Sequence, residues 1–150
     1  MGKPLVSPTR IKKVIEDALS RVTIPENIEL TKKLAADLPD VKIDPDQIQQ
    51  ILVNIITNAT QSMSEGGKLT IAVREKGKFL EVEIADTGCG IPEEAVGKIF
   101  DPLFTTRAKG IGLGLAVCKT IIDRHEGFIE VESQVRKGTT FNIRLPLKAE

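Results

Sequence analysis

The stretch FLEVEIADTGCGIP, residues 79–92, decides both the fold and the chemistry of this chain. Leu80, Val82 and Ile84 alternate with Glu81 and Glu83, the period-two pattern of a strand with one buried face. The strand runs into Asp86-Thr87-Gly88-Cys89-Gly90-Ile91-Pro92. A carboxylate at a strand end beside two glycines is either a plain Asp-Thr-Gly turn or the wall of a pocket that a flat base can enter. Residues 69–75 alternate in the same way, and Lys76-Gly77-Lys78 joins the two runs as a hairpin. From Asp86 to Gly114 the chain is rich in Gly, Pro and Thr and too long for an ordinary connection, which marks a functional loop. A helix at 115–124 and a second strand pair, 128–135 and 140–147, follow it.

Upstream, Asp44-Pro45-Asp46 opens a long helix reaching about Met63. Asp44 suits the N-cap, Pro45 the first turn, and Asp46 the positive end of the dipole. Ile48, Ile51, Leu52, Ile55, Ile56, Ala59 and Met63 form one apolar stripe, and Gln47, Asn54, Asn58 and Gln61 line its border. Short strands are expected at 28–34 and 41–43. A first helical pattern starts at Ser7-Pro8, carries Ile11, Val14, Ile15, Ala18, Leu19 and Val22, and stops at Pro25. Helices followed by antiparallel strands give an α+β, two-layer α/β sandwich: a mixed, mostly antiparallel sheet of about five strands under about three helices.

The 150 residues make about one domain. The 41% hydrophobic and 28% charged residues lie in the globular range. Lys+Arg and Asp+Glu number 21 each, so no net positive field exists to hold nucleic acid or an anionic membrane. The five Phe, with no Trp or Tyr, are sparse for a base-stacking platform. Two cysteines, Cys89 and Cys118, form neither a zinc spacing nor a secreted disulfide framework, which points to a reduced, cytoplasmic setting. No apolar run approaches the roughly 18 residues of a membrane span, and the N-terminus has no signal-peptide core.

Gly110-Ile111-Gly112-Leu113-Gly114-Leu115 reads as a glycine-rich turn before a helix. Such a turn lets backbone amides approach a phosphate at the helix's positive end, or it is simply a tight turn. It is not a P-loop, because Lys119-Thr120 follows Cys118 rather than Gly. Nor is it a dinucleotide fingerprint, since Val117 and Glu93 stand where the third glycine would fall after Gly114 and Gly90.

Four blocks in order resemble the ATP-binding catalytic domain of two-component sensor histidine kinases, within the GHKL superfamily of the Bergerat fold. Residues 46–63, with Asn54 and Asn58, resemble the N box, and Asp86 to Pro92 the G1 box. Ile99-Phe100-Asp101-Pro102-Leu103-Phe104-Thr105-Thr106 resembles the F box, and Gly110 to Leu115 the G2 box. Gly138-Thr139-Thr140-Phe141 is similar to the family's closing motif. The Phe-rich box and Gln61-Ser62-Met63 look most like nitrogen-regulation-type kinases.

The resemblance implies roles. Asn58 would hold Mg²⁺ through its amide oxygen while the ion bridges the ATP phosphates, and Asn54, one turn earlier, would reach the γ-phosphate as the catalytic residue. Asp86 would accept from the adenine amino group, helped by Thr139, with Gly88, Gly90 and Ile91 shaping the base pocket. The amides of Gly112, Leu113, Gly114 and Leu115 would face the phosphates. Pro92 to Gly112 would form a mobile ATP lid whose base is anchored by Phe100 and Phe104, with Thr105, Arg107, Lys109 and Gly110 also at the nucleotide. Many relatives carry Lys at the position of Gln61, which brings hydrogen bonds here but no charge.

The same resemblance implies a single catalytic domain over 1–150 that uses ATP and Mg²⁺. It would pass the γ-phosphoryl group to a histidine on a separate dimerisation and phosphoacceptor domain, and from there to a response regulator receiver domain. Neither nucleic acid nor direct membrane contact is expected. The isolated domain would be a cytoplasmic monomer, and the parent a homodimer with or without a membrane anchor. Alternatives are a GHKL-type ATPase, a serine-directed anti-sigma-like kinase and a non-catalytic ATP-binding module. The ATPases carry Glu where Asn54 stands, and Asn is no base at neutral pH. His125 lies at a helix C-terminus, where a cation is favoured, and reads as structural rather than as the phosphoacceptor. Cys89 reads as a small packing residue.

Overall fold

The alternation in 79–92 becomes a central strand because both of its edges find partners. In the computed structural model, which describes residues 3–101 and 111–147 and the side chains of all these except 111–113, the elements are β1 (Ser7–Thr9), α1 (Ile11–Ser20), β2 (Ile28–Leu34), β3 (Val41–Ile43), α2 (Pro45–Gln61), β4 (Gly67–Lys76), β5 (Phe79–Asp86), α3 (Glu93–Val96), α4 (Ile111–Arg124), β6 (Phe128–Gln134) and β7 (Gly138–Pro146). The main sheet has the order β2-β4-β5-β7-β6. Its β2–β4 pair is parallel and the others antiparallel.

One face of the sheet presents Leu69, Ile71, Val73, Leu80, Val82, Ile84, Phe141, Ile143 and Leu145, all buried. Helix α2 lies against it and packs between α1 and α4. Its stripe of Ile48, Ile51, Leu52, Ile55, Ile56 and Ala59 is buried as expected, at about 1.5–3 kcal/mol for each large side chain removed from water. The Asp44 carboxylate caps α2, its Oδ1 accepting from the Asp46 and Gln47 amides at 3.1 and 3.2 Å. Its Oδ2 accepts from the Leu5 amide at 2.8 Å.

The opposite face of the sheet carries charge. Glu81, 2% exposed, accepts from Arg74 at 2.8 Å and from Arg144 at 3.2 Å. Burial disfavours its charged form, but the Arg144 and Arg74 hydrogen bonds and the charges of Arg74 and Lys76 outweigh this and hold the carboxyl below its ordinary range.

Several boundaries differ from the sequence expectation. Ser7 and Pro8 are not helical; they form β1, paired antiparallel with β3, and α1 starts at Ile11 and ends well before Pro25. Helix α4 starts at Ile111 rather than 115. Glycine's poor helix propensity argued for the later start, but in a first turn the amides lack intrahelical partners anyway, so packing against α2 prevails. Strand β7 begins at Gly138, which brings Thr139 into register with Asp86.

Candidate nucleotide site

Three residues share one rung at the end of the sheet's inner face: Asp86 pairs with Thr139, and Thr139 with Ser133. Asp86 Oδ1 accepts from the Gly88 amide at 2.8 Å, the Thr139 amide at 3.3 Å and the Ser62 hydroxyl at 3.4 Å. No donor among the described residues meets Oδ2. The carboxylate is therefore oriented by one oxygen and offers the other. Burial raises its pKa above the usual Asp value, against the opposing pull of the Gly88, Thr139 and Ser62 hydrogen bonds.

The glycines explain how the backbone comes so close. A Cβ on Gly88 would collide with Ser62, where α2 ends, and one on Gly138, at φ +125°, with the Asp86 carbonyl oxygen. The loop is fastened on both sides: the Cys89 amide donates to the Ser62 carbonyl at 3.1 Å, and the Arg136 amide to the Cys89 carbonyl at 2.7 Å. Gly90 and Ile91 continue this loop, and the Ile91 amide donates to Ser133 Oγ at 2.7 Å.

On α2, Asn54 and Asn58 are half-buried one turn apart, and Gln61 is exposed. Asn54 Nδ2 approaches the Gly114 carbonyl at 3.5 Å and Cys118 Sγ at 3.7 Å. These are long contacts, and they set the Asn54 amide against the first turn of α4. Asn58's side chain makes no hydrogen bond among the described residues. Gly112, Leu113 and Gly114 lie in the first turn of α4, where the amides lack intrahelical partners and the dipole favours an anion; Leu115 is a core residue. Phe100 meets Phe141 edge-on at 6.5 Å. Phe104, Thr105, Arg107, Lys109 and Gly110 lie outside the described residues.

Two expectations change. Cys89 is exposed, because the loop is tied through its backbone and nothing draws the side chain inward. His125 is buried and structural, but its electrostatic role is different. Its Nε2 accepts the Asp44 amide at 3.0 Å, and its Nδ1 donates to the Ile121 carbonyl at 2.9 Å. That pair of bonds needs the neutral ring rather than a cation, and it leaves neither nitrogen for attack. Sequence reasoning passed over Ser62 as a site residue and Ser133 altogether; a lone serine carries no periodic signal, and only strand register brings Ser133 to Thr139.

The site thus offers a fixed carboxylate oxygen at one end, a helix N-terminus at the other and, between them, the Asn58 amide, without a partner among the described residues. That set suits a ligand with a flat donor-bearing ring and an anionic tail. Residues 43–149 match the family described as histidine kinase-, DNA gyrase B- and HSP90-like ATPase. The chain belongs to this family. Within it, the sensor histidine kinase ZraS of Escherichia coli strain K12 is 39% identical over 134 residues, covering 89% of this chain and 28% of its own length. The nucleotide-free catalytic domain of histidine kinase ThkA superposes with a TM-score of 0.83 at 32% identity, covering 95% of each chain. ThkA in complex with the response regulator protein TrrA superposes at 0.80, with 30% identity over 95% of this chain and 42% of that one. The chain spans less than a third of the length of the curated relatives it matches.

Proposed function

We propose that this chain is the ATP-binding catalytic domain of a sensor histidine kinase, transferring the γ-phosphoryl group of Mg-ATP to a histidine on a separate dimerisation and phosphoacceptor domain. The observation that carries the reading is the Asp86 carboxylate, pinned through Oδ1 and open at Oδ2. An oriented acceptor of this kind takes the amino group of adenine, while Gly88, Gly90, Ile91 and Thr139 leave room for the ring. The phosphates then point to the first turn of α4, where the amides up to Gly114 and Leu115 and the helix dipole receive negative charge. Gln61, exposed at the end of α2, donates a neutral hydrogen bond, so the remaining charge falls to Arg107 and Lys109, with Phe104, Thr105 and Gly110 in the same segment.

Asn58 fits Mg²⁺: a hard cation takes oxygen ligands and keeps several waters, and this amide oxygen has no other partner among the described residues. When bound, the ion neutralises charge developing on the transferring phosphoryl group. Asn54 orients the reacting groups but accepts no proton, which favours transfer to an incoming imidazole over activation of water. The likeness to ZraS and to ThkA with its response regulator supports two partners, a phosphoacceptor domain and a receiver domain. An ATP-dependent step of this kind is cytoplasmic; among the described residues no helix is long and apolar enough to cross a membrane.

The test is incubation with γ-labelled ATP and Mg²⁺, with and without a histidine-bearing helical hairpin from a sensor kinase of this type. Label is expected on the hairpin only, and Asn58→Ala abolishes it. Label on this chain alone, or rapid ATP hydrolysis without an acceptor, overturns the reading.

A further inference from the structure

The rung that holds Asp86 ends on a hydroxyl whose proton count constrains the whole pocket. Ser133 Oγ has one proton and two lone pairs. It receives the Ile91 amide at 2.7 Å. It lies 3.0 Å from the Gly138 carbonyl, which can only accept, so its own proton goes there. The remaining contact, 2.8 Å to Thr139 Oγ1, is then supplied by Thr139, whose single proton fills the last lone pair of Ser133. Thr139 is left with no proton for a ligand. Toward the pocket it is an acceptor only, as Asp86 Oδ2 is. Thr139 is 6% exposed, so water does not readily re-solvate a mismatched polar group beside it.

We propose that Ser133 is a specificity-determining positioning residue: by taking the Thr139 proton it makes the Thr139 hydroxyl, like Asp86 Oδ2, a hydrogen-bond acceptor only, so the site favours a purine with an exocyclic amino group over one with a carbonyl at that position. The proposal rests on the reading of this site as an adenine pocket and adds the residue that sets its polarity. A base carrying an amino group brings donors to these acceptors. A base carrying a carbonyl sets that oxygen against these acceptors, and its ring N1–H serves at most one of them, which is how such sites discriminate. Without Ser133 Oγ, the Thr139 hydroxyl is released, can turn its proton toward the pocket, and tolerates the carbonyl.

The experiment measures equilibrium affinities of ATP and of ITP, whose base has a carbonyl in place of the amino group, with Mg²⁺ and by calorimetry, for wild type, Ser133→Ala, Ser133→Thr and Thr139→Val. Ser133→Ala is expected to lower the ATP-to-ITP affinity ratio by about threefold to tenfold, the worth of one net hydrogen bond. Ser133→Thr, which keeps the hydroxyl, restores the ratio. Thr139→Val removes the same acceptor and lowers the ratio whether or not Ser133→Ala folds. An unchanged ratio in Ser133→Ala or in Thr139→Val overturns the proposal, as does an equal loss of both affinities, the mark of a purely structural serine. Failure of the adenine reading itself looks different: wild type then binds neither nucleotide, or Asp86→Asn leaves ATP affinity intact.

Discussion

Asp86→Asn separates the proposed role of this residue in binding from its role in the fold. The substitution keeps Oδ1, and with it the bonds from the Gly88 and Thr139 amides and the Ser62 hydroxyl at 2.8, 3.3 and 3.4 Å. It turns Oδ2 into an NH₂ group, so a donor faces the donor of the base. A hydrogen bond to a charged acceptor is worth about 1.5–3 kcal/mol. Its loss together with the donor–donor mismatch weakens Mg-ATP binding by about 2–4 kcal/mol, roughly 30-fold to 1,000-fold in Kd. Stability moves the other way. Burial raises the folded-state pKa of Asp86 above 3.8, so its contribution is full below that pH and is lost as pH rises through the folded value. At pH 7 the buried charge is a cost, and Asn removes it. The variant should melt at or slightly above the wild-type temperature while titration calorimetry shows ATP binding weakened by that factor. Lowering the pH should weaken ATP binding to wild type at a pH above the usual Asp range, a step missing from the variant. ATP affinity within threefold of wild type refutes the reasoning, as does a fall in melting temperature matching the loss of binding.

Glu81→Gln should lower stability at pH 7 by about 1–2 kcal/mol, less than a fully buried pair gives because the Arg74 side chain is 55% exposed. The Glu81 pKa is depressed below 4.5, so this contribution is full above pH 4.5 and lost as pH falls through the folded value; urea curves of the two proteins should converge in acid, and a constant gap would contradict the pairing. Gly138→Ala places a Cβ against the Asp86 carbonyl at a positive φ and should cost at least about 2 kcal/mol in urea unfolding; a loss below 0.5 kcal/mol, on the order of a surface change, tells against that close approach. Iodoacetamide at about pH 8 should add one label per native chain, on exposed Cys89, since burial pushes the Cys118 thiol up to about 11. Cys89→Ser should take none, and two fast labels would show Cys118 to be accessible.

Much of this was legible because it is local. The period-two run ending at Asp86 and the stripe from Ile48 to Ala59 each read as the element they form, since burial of one face drives both. The Asn54–Asn58 spacing needs only helical geometry. What escaped depends on partners distant in the chain. Ser7 and Pro8 are extended because β3 offers an edge to pair with, not because their side chains prefer it. Gly112 and Gly114 are helical because α4 packs on α2, over their own propensity. His125 is neutral because the Asp44 amide, 81 residues away, donates to it, a partner no helix-end rule anticipates. Ser133 matters through a register pair on the neighbouring strand, and the outward side chain of Cys89 follows from backbone ties that composition does not record.

Asp44 is more than a cap. Its carboxylate joins the incoming chain at Leu5 to the start of α2, and its own amide is held by His125 at the end of α4. In mechanical terms it is a pin joint between three struts: the segment at Leu5, the helix that carries Asn54 and Asn58, and the helix whose far end carries Gly112 and Gly114. A pull or twist on Leu5 loads that joint within one side chain's length instead of being absorbed by slack loop. Because one side chain closes the joint, a displacement at Leu5 is felt by α2 and α4 together.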